Sequence, residues 1–301
     1  MGCAGRLRLF LSSWQAVTTD PVVLEWIQGL RIPFTHTPFQ PRPPPLSSLK
    51  RDQELKMQLA IATLLAQGAI RPCRPCKSQF LSSYFLVRKP DGDSRFILNL
   101  KELIKFLEPP HFKMEDIRTV TKLTKPDSWF TTIDLKNGYF LISVAQPYQK
   151  YLRFQQSNVL YEFTCLPFGL SVAPYIFTKI MKPVLRILRT NGILCVNYLD
   201  DFLIIADTKL NCISKTSFTI RLLESLGFLV NWSKSVIVPS QQVKFLGFQL
   251  CSQSMTLSLP RLKQNRLREI IHTVVKRKTL SIRPVAQLLG VLISSCPAIK
   301  Y

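Results

Sequence analysis

The stretch "CVNYLDDFLIIAD", residues 195 to 207, places two adjacent aspartates inside an otherwise apolar and β-rich run. Asp200 and Asp201 separate two strand-like halves and so occupy the position of a hairpin turn. Asn-Gly or Asp-Gly is the usual choice there, because tight hairpin turns need positive φ angles. A second aspartate lacks that advantage and adds like-charge repulsion, so we expect a positive partner. An ordinary polar turn is the alternative interpretation.

Divalent metal ions are such a partner. Mg²⁺ prefers carboxylate, water and phosphate oxygens, and two ions about 3.5–4 Å apart assist phosphoryl transfer. Two carboxylates on one turn are too few to hold two ions, so a third is expected from a neighbouring strand. Asp134 is the candidate, because it ends the β-rich run "WFTTID" and precedes a turn. Asp207 is less suitable, because it lies a strand length away.

The charge balance indicates an acidic partner. Forty Lys and Arg against 18 Asp and Glu give a formal net charge of +22 over 301 residues. Nucleic acid is the expected partner, since phosphates recruit basic side chains, and a membrane surface is the alternative. A run of about 18 apolar residues, which a membrane-spanning helix needs, does not occur. We expect an intracellular protein, cytoplasmic or nuclear, with no membrane partner.

Eight cysteines are present, and only Cys73 and Cys76 are closely spaced. The others are scattered in apolar surroundings, and no histidine follows the pair at the spacing of a zinc site. We therefore expect reduced thiols, with a zinc site at this pair as the alternative.

Helical and extended patterns alternate along the chain, which indicates an α/β or α+β fold. Helices are expected over residues 52–68, after a cap at Ser171 as far as Gly192, over 211–227 and over the basic stretch 261–278. A hairpin is expected around "PDGD", residues 90–93. The basic helix suits either a nucleic-acid contact or a solvated outer face. Three segments follow: a Pro-rich extension (1–50), a main region (51–250) and a basic helical end (251–301).

Five motifs occur in an order that resembles the reverse transcriptases. "TTIDLKNGYF" is similar to their motif A, "LPFGLSVAPYIFTKIM" to motif B, "YLDD" to motif C, "LGFLVNWSKS" to motif D and "FLGFQL" to motif E. The resemblance runs through the retroviral and gypsy-like branch of retrotransposons. Segments such as "SIRPVAQLLGVLISSCPAI" are most like the DIRS-type elements, which carry a tyrosine recombinase.

The resemblance implies an α+β right-hand polymerase fold. Fingers and an antiparallel palm sheet packed on helices would be followed by a partial thumb or connection. It implies RNA-directed DNA polymerase activity, with a template-primer duplex of RNA or DNA and deoxynucleoside triphosphates as partners. Two Mg²⁺ ions, with Mn²⁺ as an alternative, would be held by Asp134, Asp200, Asp201 and the Leu135 carbonyl.

The resemblance also implies roles at the nucleotide. Arg95 and Lys89 would contact its phosphates, Tyr139 would act as a steric gate against the ribose 2′-hydroxyl, and Phe168 and Gly169 would pack beneath it. Phe168 stands where the retroviral branch often has glutamine, which removes a polar contact.

Two further sets of roles follow from the resemblance. Lys234 would protonate the leaving pyrophosphate. The primer end would be contacted by Tyr198, Phe245, Leu246 and Gly247.

Two other functions stay open at this point. A catalytically inactive, nucleic-acid-binding remnant would keep the basic surface, and an RNA-dependent RNA polymerase would share the palm. Acidic residues for a ribonuclease H, and a recombinase, are not recognisable in this chain, which suggests a fragment, a truncated genomic copy or a degenerate element. The oligomeric state is left open.

Overall fold

The computed structural model describes residues 2–45, 51–88, 94–276 and 281–298. The helices, in chain order, are α1 Leu11–Val17, α2 Pro21–Gly29, α3 Arg51–Ala66, α4 Lys101–Ile104, α5 Ile117–Leu123, α6 Gln146–Gln149, α7 Ala173–Thr190, α8 Lys209–Ser225, α9 Arg261–Val275 and α10 Ile282–Ser295. Short 3₁₀ turns are Arg6–Phe10, Gly138–Leu141 and Cys296–Ala298.

The strands form antiparallel sheets. They are β1 Ile70–Pro72, β2 Tyr84–Arg88, β3 Ser94–Leu98, β4 Trp129–Asp134, β5 Arg153–Gln156, β6 Val159–Phe163, β7 Leu194–Tyr198, β8 Asp201–Ala206, β9 Val236–Ser240, β10 Gln242–Phe245, β11 Phe248–Cys251 and β12 Thr256–Ser258. Their orders are β1-β6-β5, β2-β3, β7-β8-β4-β9 and β10-β11-β12. Antiparallel sheets with separate helices confirm the predicted α+β class.

The chain divides into two compact units. The first comprises Met1–Lys113, Leu135–Ile187 and Arg221–Val230, and the second comprises Met114–Asp134, Leu188–Ile220 and Asn231–Tyr301. Neither unit is continuous in sequence. The boundaries expected at residues 50 and 250 stay a prediction.

The first unit contains the predicted hairpin. Strands β2 and β3 pair from Tyr84–Leu98 to Arg88–Ser94, and the expected tip with Lys89 lies outside the described residues. Helix α3 confirms the helix expected over residues 52–68.

The amino-terminal segment is a packed part of the first unit. Leu7 and Trp14 are fully buried, and the Trp14 indole Nε1 donates to the Leu226 carbonyl at 3.0 Å. A Cβ on Gly227, where φ is +91°, would lie only 2.5 Å from the Phe10 ring, so this contact requires glycine. Trp14 of the segment expected to be an extension is therefore a core residue.

Helix α7 has a different start from the one expected. It begins at Ala173, and the Val172 carbonyl accepts the first-turn bond from the Ile176 N–H at 3.0 Å. The Ser171 hydroxyl is buried without a hydrogen-bond partner, so the predicted cap at Ser171 is wrong. The expected end is correct, since Gly192 follows the helix at φ +68°.

The second unit is built on the β7-β8-β4-β9 sheet. Residues Phe202 to Ala206 of β8 are all buried, which explains why this central strand reads as an unbroken apolar run. One side of the sheet joins a core that includes Phe130, Leu203 and Phe245.

Helices α9 and α10 end the described chain. Every residue of α9 is at least partly exposed, as a basic helix with a solvated face requires. No helix among the described residues is long and apolar enough to cross a membrane. All eight cysteines are free thiols.

Candidate active site

Two of the three predicted carboxylates are direct neighbours in the sheet. Strands β4 and β8 pair antiparallel, and Asp134 is the register partner of Asp201. Directly opposed residues point to the same face of a sheet with Cβ atoms about 4.5–5.5 Å apart. We call Asp134, Asp201 and the adjoining loop Leu199–Asp200 the carboxylate corner.

The hairpin turn differs by one residue from the expectation. Tyr198 pairs with Asp201, so the loop consists of Leu199 and Asp200, and Asp201 is the first residue of β8 rather than a turn residue. Leu199 has φ +54°, a left-handed conformation that is costly for leucine and concentrates at functional sites. The Asn197 side-chain amide supports the loop by donating to the Leu199 carbonyl at 2.7 Å.

The electrostatics of the corner are those of closely spaced, partly buried carboxylates. Burial, together with the charges of Asp200 and Asp134, raises the pKa of Asp201 to about 6, while Lys234 acts in the opposite direction. The ionised corner is therefore short of positive charge.

A small cleft lies at this corner. It has a volume of about 110 Å³ and is lined by Asp134, Asp201, Lys234 and Lys244, together with neighbouring backbone and apolar side chains. Carboxylates and ammonium groups thus share one cavity, and Lys244 adds a cation that the motifs did not indicate.

Asp134 is held by a turn that sequence reasoning missed. The Asn231 Nδ2 donates to Asp134 Oδ1 at 2.7 Å, the Asn231 N–H donates to the Asp134 carbonyl at 2.8 Å, and the Asp134 N–H donates to Ser235 Oγ at 3.0 Å. These contacts span about a hundred residues of sequence and leave no periodic signal.

The donor set fits a hard divalent cation. Opposed carboxylate oxygens are the ligands that Mg²⁺ prefers. Burial raises the pKa of Asp201 first, and the charges of Asp200 and Asp134 add a repulsion that a dication would relieve. Within the described ranges, however, three or more His, Cys, Asp or Glu side chains are nowhere close enough together to hold one ion. Asp200 lies exposed on the loop, so the predicted convergence of all three carboxylates on an ion is not formed.

The first unit contains a second candidate region. A cavity of about 840 Å³ lies among helix α3, the β2–β3 hairpin and the segment around Phe168. Its lining includes the cations Lys56, Arg88 and Arg95, and the described residues that line it include no carboxylate. We call it the basic cavity. Arg88 was expected to lie near Arg95 in the hairpin, whereas Lys56 was missed because a single charge on an exposed helix face is an ordinary surface feature.

Two of the predicted nucleotide residues, Arg95 and Phe168, line this cavity, and Tyr139 packs against Phe168. The Arg95 guanidinium lies over the Phe168 ring, 4.7 Å from its centroid, and the Tyr139 ring packs 5.3 Å from Phe168. Gly169 has φ +102°, and a Cβ there would lie 2.8 Å from the Leu98 carbonyl oxygen. Glycine is thus needed at position 169 because the backbone there lies close to strand β3, a reason that the motif did not suggest.

The predicted primer-contact segment forms a tight hairpin in the second unit. Leu246 and Gly247 join β10 to β11 with φ +48° and +76°, as type I′ turns require. The Lys263 Nζ lies 5.5 Å from the centroid of the Phe248 ring. A Cβ on Gly247 would lie 2.2 Å from this Nζ. The Phe245 side chain is buried in the core.

The remaining predicted residues are accounted for individually. Tyr198 is half-buried at the end of β7. Leu135 is buried and forms an antiparallel bridge with Val230.

Solved structures share this fold. A foamy viral protease-reverse transcriptase in complex with double-stranded DNA superposes with a TM-score of 0.72 at 21% identity, over 88% of this chain and 53% of that chain. A foamy viral protease-reverse transcriptase in complex with an RNA/DNA hybrid superposes with a TM-score of 0.70 at 21% identity, over 86% of this chain and 33% of that chain. This likeness confirms the predicted fingers–palm polymerase fold.

Sequence comparisons agree with the fold. The Transposon Tf2-3 polyprotein of Schizosaccharomyces pombe is 24% identical over 229 residues, 76% of this chain and 16% of the polyprotein, so the chain spans about a sixth of the length of such relatives. The sequence profile of the family "Reverse transcriptase (RNA-dependent DNA polymerase)" matches residues 87–250. Because this match covers more than half of the chain, the chain belongs to the reverse transcriptase family.

Proposed function

We propose that this chain is an RNA-directed DNA polymerase that extends a primer with deoxynucleotides. The observation that carries the proposal is the pairing of Asp134 with Asp201 across β4 and β8, in a chain whose residues 87–250 match the reverse transcriptase family. The foamy viral proteins of similar fold are described in complex with double-stranded DNA or an RNA/DNA hybrid. Template-primer duplexes are therefore the proposed partners.

The carboxylates would hold divalent ions. Asp134 and Asp201 supply opposed oxygens, Asp200 lies next to them on the loop, and the Leu135 carbonyl is a further proposed ligand. Two bound Mg²⁺, or Mn²⁺, would supply activation of the primer 3′-hydroxyl and stabilisation of charge on the phosphates. Asp134 and Asp201 are half-buried, which limits access of water to their oxygens.

Lys234 is the proposed general acid. Its ammonium group lines the cleft with Asp134 and Asp201. In the reaction the primer 3′-hydroxyl would lose its proton to water and its oxygen would bond to the α-phosphorus. The bond from that phosphorus to the β-phosphate oxygen would break, and a proton from Lys234 would neutralise the departing pyrophosphate. Lys244 lines the same cleft and adds positive charge.

The basic cavity is the proposed nucleotide site. Arg95 would bind phosphate oxygens with its planar fork while stacked on Phe168. Tyr139, braced by Phe168 and Phe177, would exclude a ribose 2′-hydroxyl and so select deoxynucleotides. Lys89 is a further candidate from the resemblance alone.

The primer contacts are assigned to one hairpin and one strand end. The Leu246–Gly247 turn and Tyr198 would touch the primer backbone, and helix α9 with its basic side chains suits sequence-independent tracking of phosphates. The buried Phe245 would contribute through its backbone.

We also propose that the parent element is of the DIRS type. Support comes from the segments around Ser171 and after residue 280, which resemble those elements. A tyrosine recombinase frame next to this coding sequence is expected, and an integrase frame in its place contradicts the subclass.

Primer extension tests the function directly. Purified protein with an RNA template, a DNA primer, Mg²⁺ and deoxynucleoside triphosphates should yield extended product, and Asp200→Asn should abolish it. Parallel reactions with ribonucleotides test the RNA polymerase alternative. Duplex binding without any incorporation would instead identify an inactive remnant.

A further inference from the structure

A five-residue turn, Asn231–Ser235, wraps around Asp134. We call it the Asn231 turn. It contacts Asp134 at the backbone N–H, at the backbone carbonyl and at the carboxylate, with distances of 3.0, 2.8 and 2.7 Å. Asp134 is the last residue of strand β4, so the turn binds the residue at which the β4–β8 ladder ends.

The direction of the Asn231 side-chain amide is set by its other neighbour. The Ser233 hydroxyl donates to Asn231 Oδ1 at 2.9 Å, so the amide oxygen faces Ser233. The Nδ2 donor therefore faces Asp134. A neutral donor can hold one carboxylate oxygen in place without adding charge to an already acidic corner.

The same turn also carries Lys234. The Lys234 N–H donates to the Asn231 carbonyl at 3.1 Å, and the Ser235 N–H donates to it at 2.9 Å. The Ser235 hydroxyl donates to that carbonyl as well, at 2.9 Å. One residue thus binds the Asp134 carboxylate with its side chain and anchors the Lys234 backbone with its carbonyl.

We propose that Asn231 is a positioning residue that orients the Asp134 carboxylate and couples it to Lys234. The inference rests on the proposed function. The Asn231 donor binds Asp134 Oδ1, which restricts rotation of the carboxylate and would leave its second oxygen available to a divalent cation. Outer partners of this kind commonly change metal affinity or activity about 10–100-fold when they are removed.

Mn²⁺ binding in the absence of nucleotide tests this role without relying on turnover. Free Mn²⁺ is measured by electron paramagnetic resonance during titration of the wild type and of Asn231→Ala. The variant keeps the backbone bonds of the turn, so it should fold, and its Mn²⁺ affinity should fall about tenfold. Asn211→Ala, which removes an exposed amide at the start of α8, is the matched control and should stay within about twofold of the wild type.

Two further measurements separate positioning from general damage. The Mn²⁺-induced rise in melting temperature is referred to each variant's own metal-free value, so reduced folding stability does not imitate weaker binding. In primer extension, Asn231→Ala should lower kcat while the KM for deoxynucleotide stays constant. Undiminished Mn²⁺ affinity in Asn231→Ala overturns the positioning role. A wild type that neither binds Mn²⁺ nor extends primers overturns the proposed function itself.

Discussion

The carboxylate corner and the basic cavity are built by different means. In the corner, a backbone ladder opposes Asp134 and Asp201, and a turn fixes Asp134 through three hydrogen bonds, one to its carboxylate and two to its backbone. At the cavity, the Arg95 guanidinium lies over the Phe168 ring and Tyr139 packs against the same ring, so these residues are joined through side-chain contacts. Backbone pairing leaves little freedom, whereas long side chains retain many rotamers. Substitutions at the corner should therefore cause large losses of primer-extension activity, and those in the cavity should cause smaller changes.

Asp201→Asn should produce the largest effect. It removes a proposed metal ligand while keeping the shape of the residue, so primer extension should fall by roughly a thousandfold. The same change removes like-charge repulsion from the metal-free protein, since Asp200 and Asp134 both raise the pKa of Asp201. The melting temperature, measured in the presence of chelator, should then rise by about 2–4 °C. This is the shift that ~1 kcal/mol of added stability produces in a domain of this size, after allowance for the partial exposure of Asp201.

Asp207→Asn is the matched control for that change. Asp207 follows the opposite end of β8 and is exposed, so both activity and melting temperature should match the wild type. A loss of stability in Asp201→Asn, measured by thermal melting, would show that the corner is not strained by its own charges.

Tyr139→Val should produce the next largest effect, on the side of the cavity. Tyr139 is half-buried between the rings of Phe168 and Phe177, and a shorter side chain opens space for a 2′-hydroxyl. The preference for deoxynucleotides over ribonucleotides, measured as a ratio of kcat/KM, should drop about 100-fold. Tyr139→Phe keeps the ring and should retain the preference. An unchanged ratio in Tyr139→Val excludes the steric role.

The contrast between the two regions also explains what the sequence could predict. The partnership of Asp134 with Asp201 follows from one carboxylate that ends a β-rich run and another that begins one, because neighbouring antiparallel strands bring the end of one beside the start of the other. The five motifs led to the right fold. The one-residue error at the turn arose because Leu199, a poor residue for positive φ, occupies the loop, and strain of this kind contradicts propensity.

Side-chain partnerships were the part that sequence could not provide. The Asn231 amide reaches Asp134 across 97 positions, and no spacing rule connects them. Ser171 has the composition of a helix cap but is buried without a partner, while α7 begins two residues later. Lys56 lies on an exposed helix face, where a charged side chain is expected simply because it is solvated.

Arg95→Lys tests whether geometry or charge matters in the cavity. Lysine keeps the charge but loses the planar fork and much of the stacking on Phe168. The KM for deoxynucleotide should rise about tenfold with Mn²⁺ affinity unchanged, because one charge-assisted hydrogen bond is lost. Arg118→Lys on α5 of the second unit is the control. A fall in Mn²⁺ affinity would contradict the independence of the two regions.

Lys56→Ala should give the smallest effect and is the sharpest test of the cavity as a phosphate site. Lys56 is exposed, and its charge shares the cavity with Arg88 and Arg95. An exposed cation contributes about 0.2–1 kcal/mol, so the KM for deoxynucleotide should rise roughly 1.5–5-fold at low salt with kcat constant. The rise should vanish at about 1 M salt, where the screening length is about 3 Å. Gln58→Ala changes the same helix outside the cavity lining and should leave KM unaltered. A salt-independent rise in both variants would indicate disturbed packing of α3, and the cavity would then lose its assignment to the nucleotide phosphates.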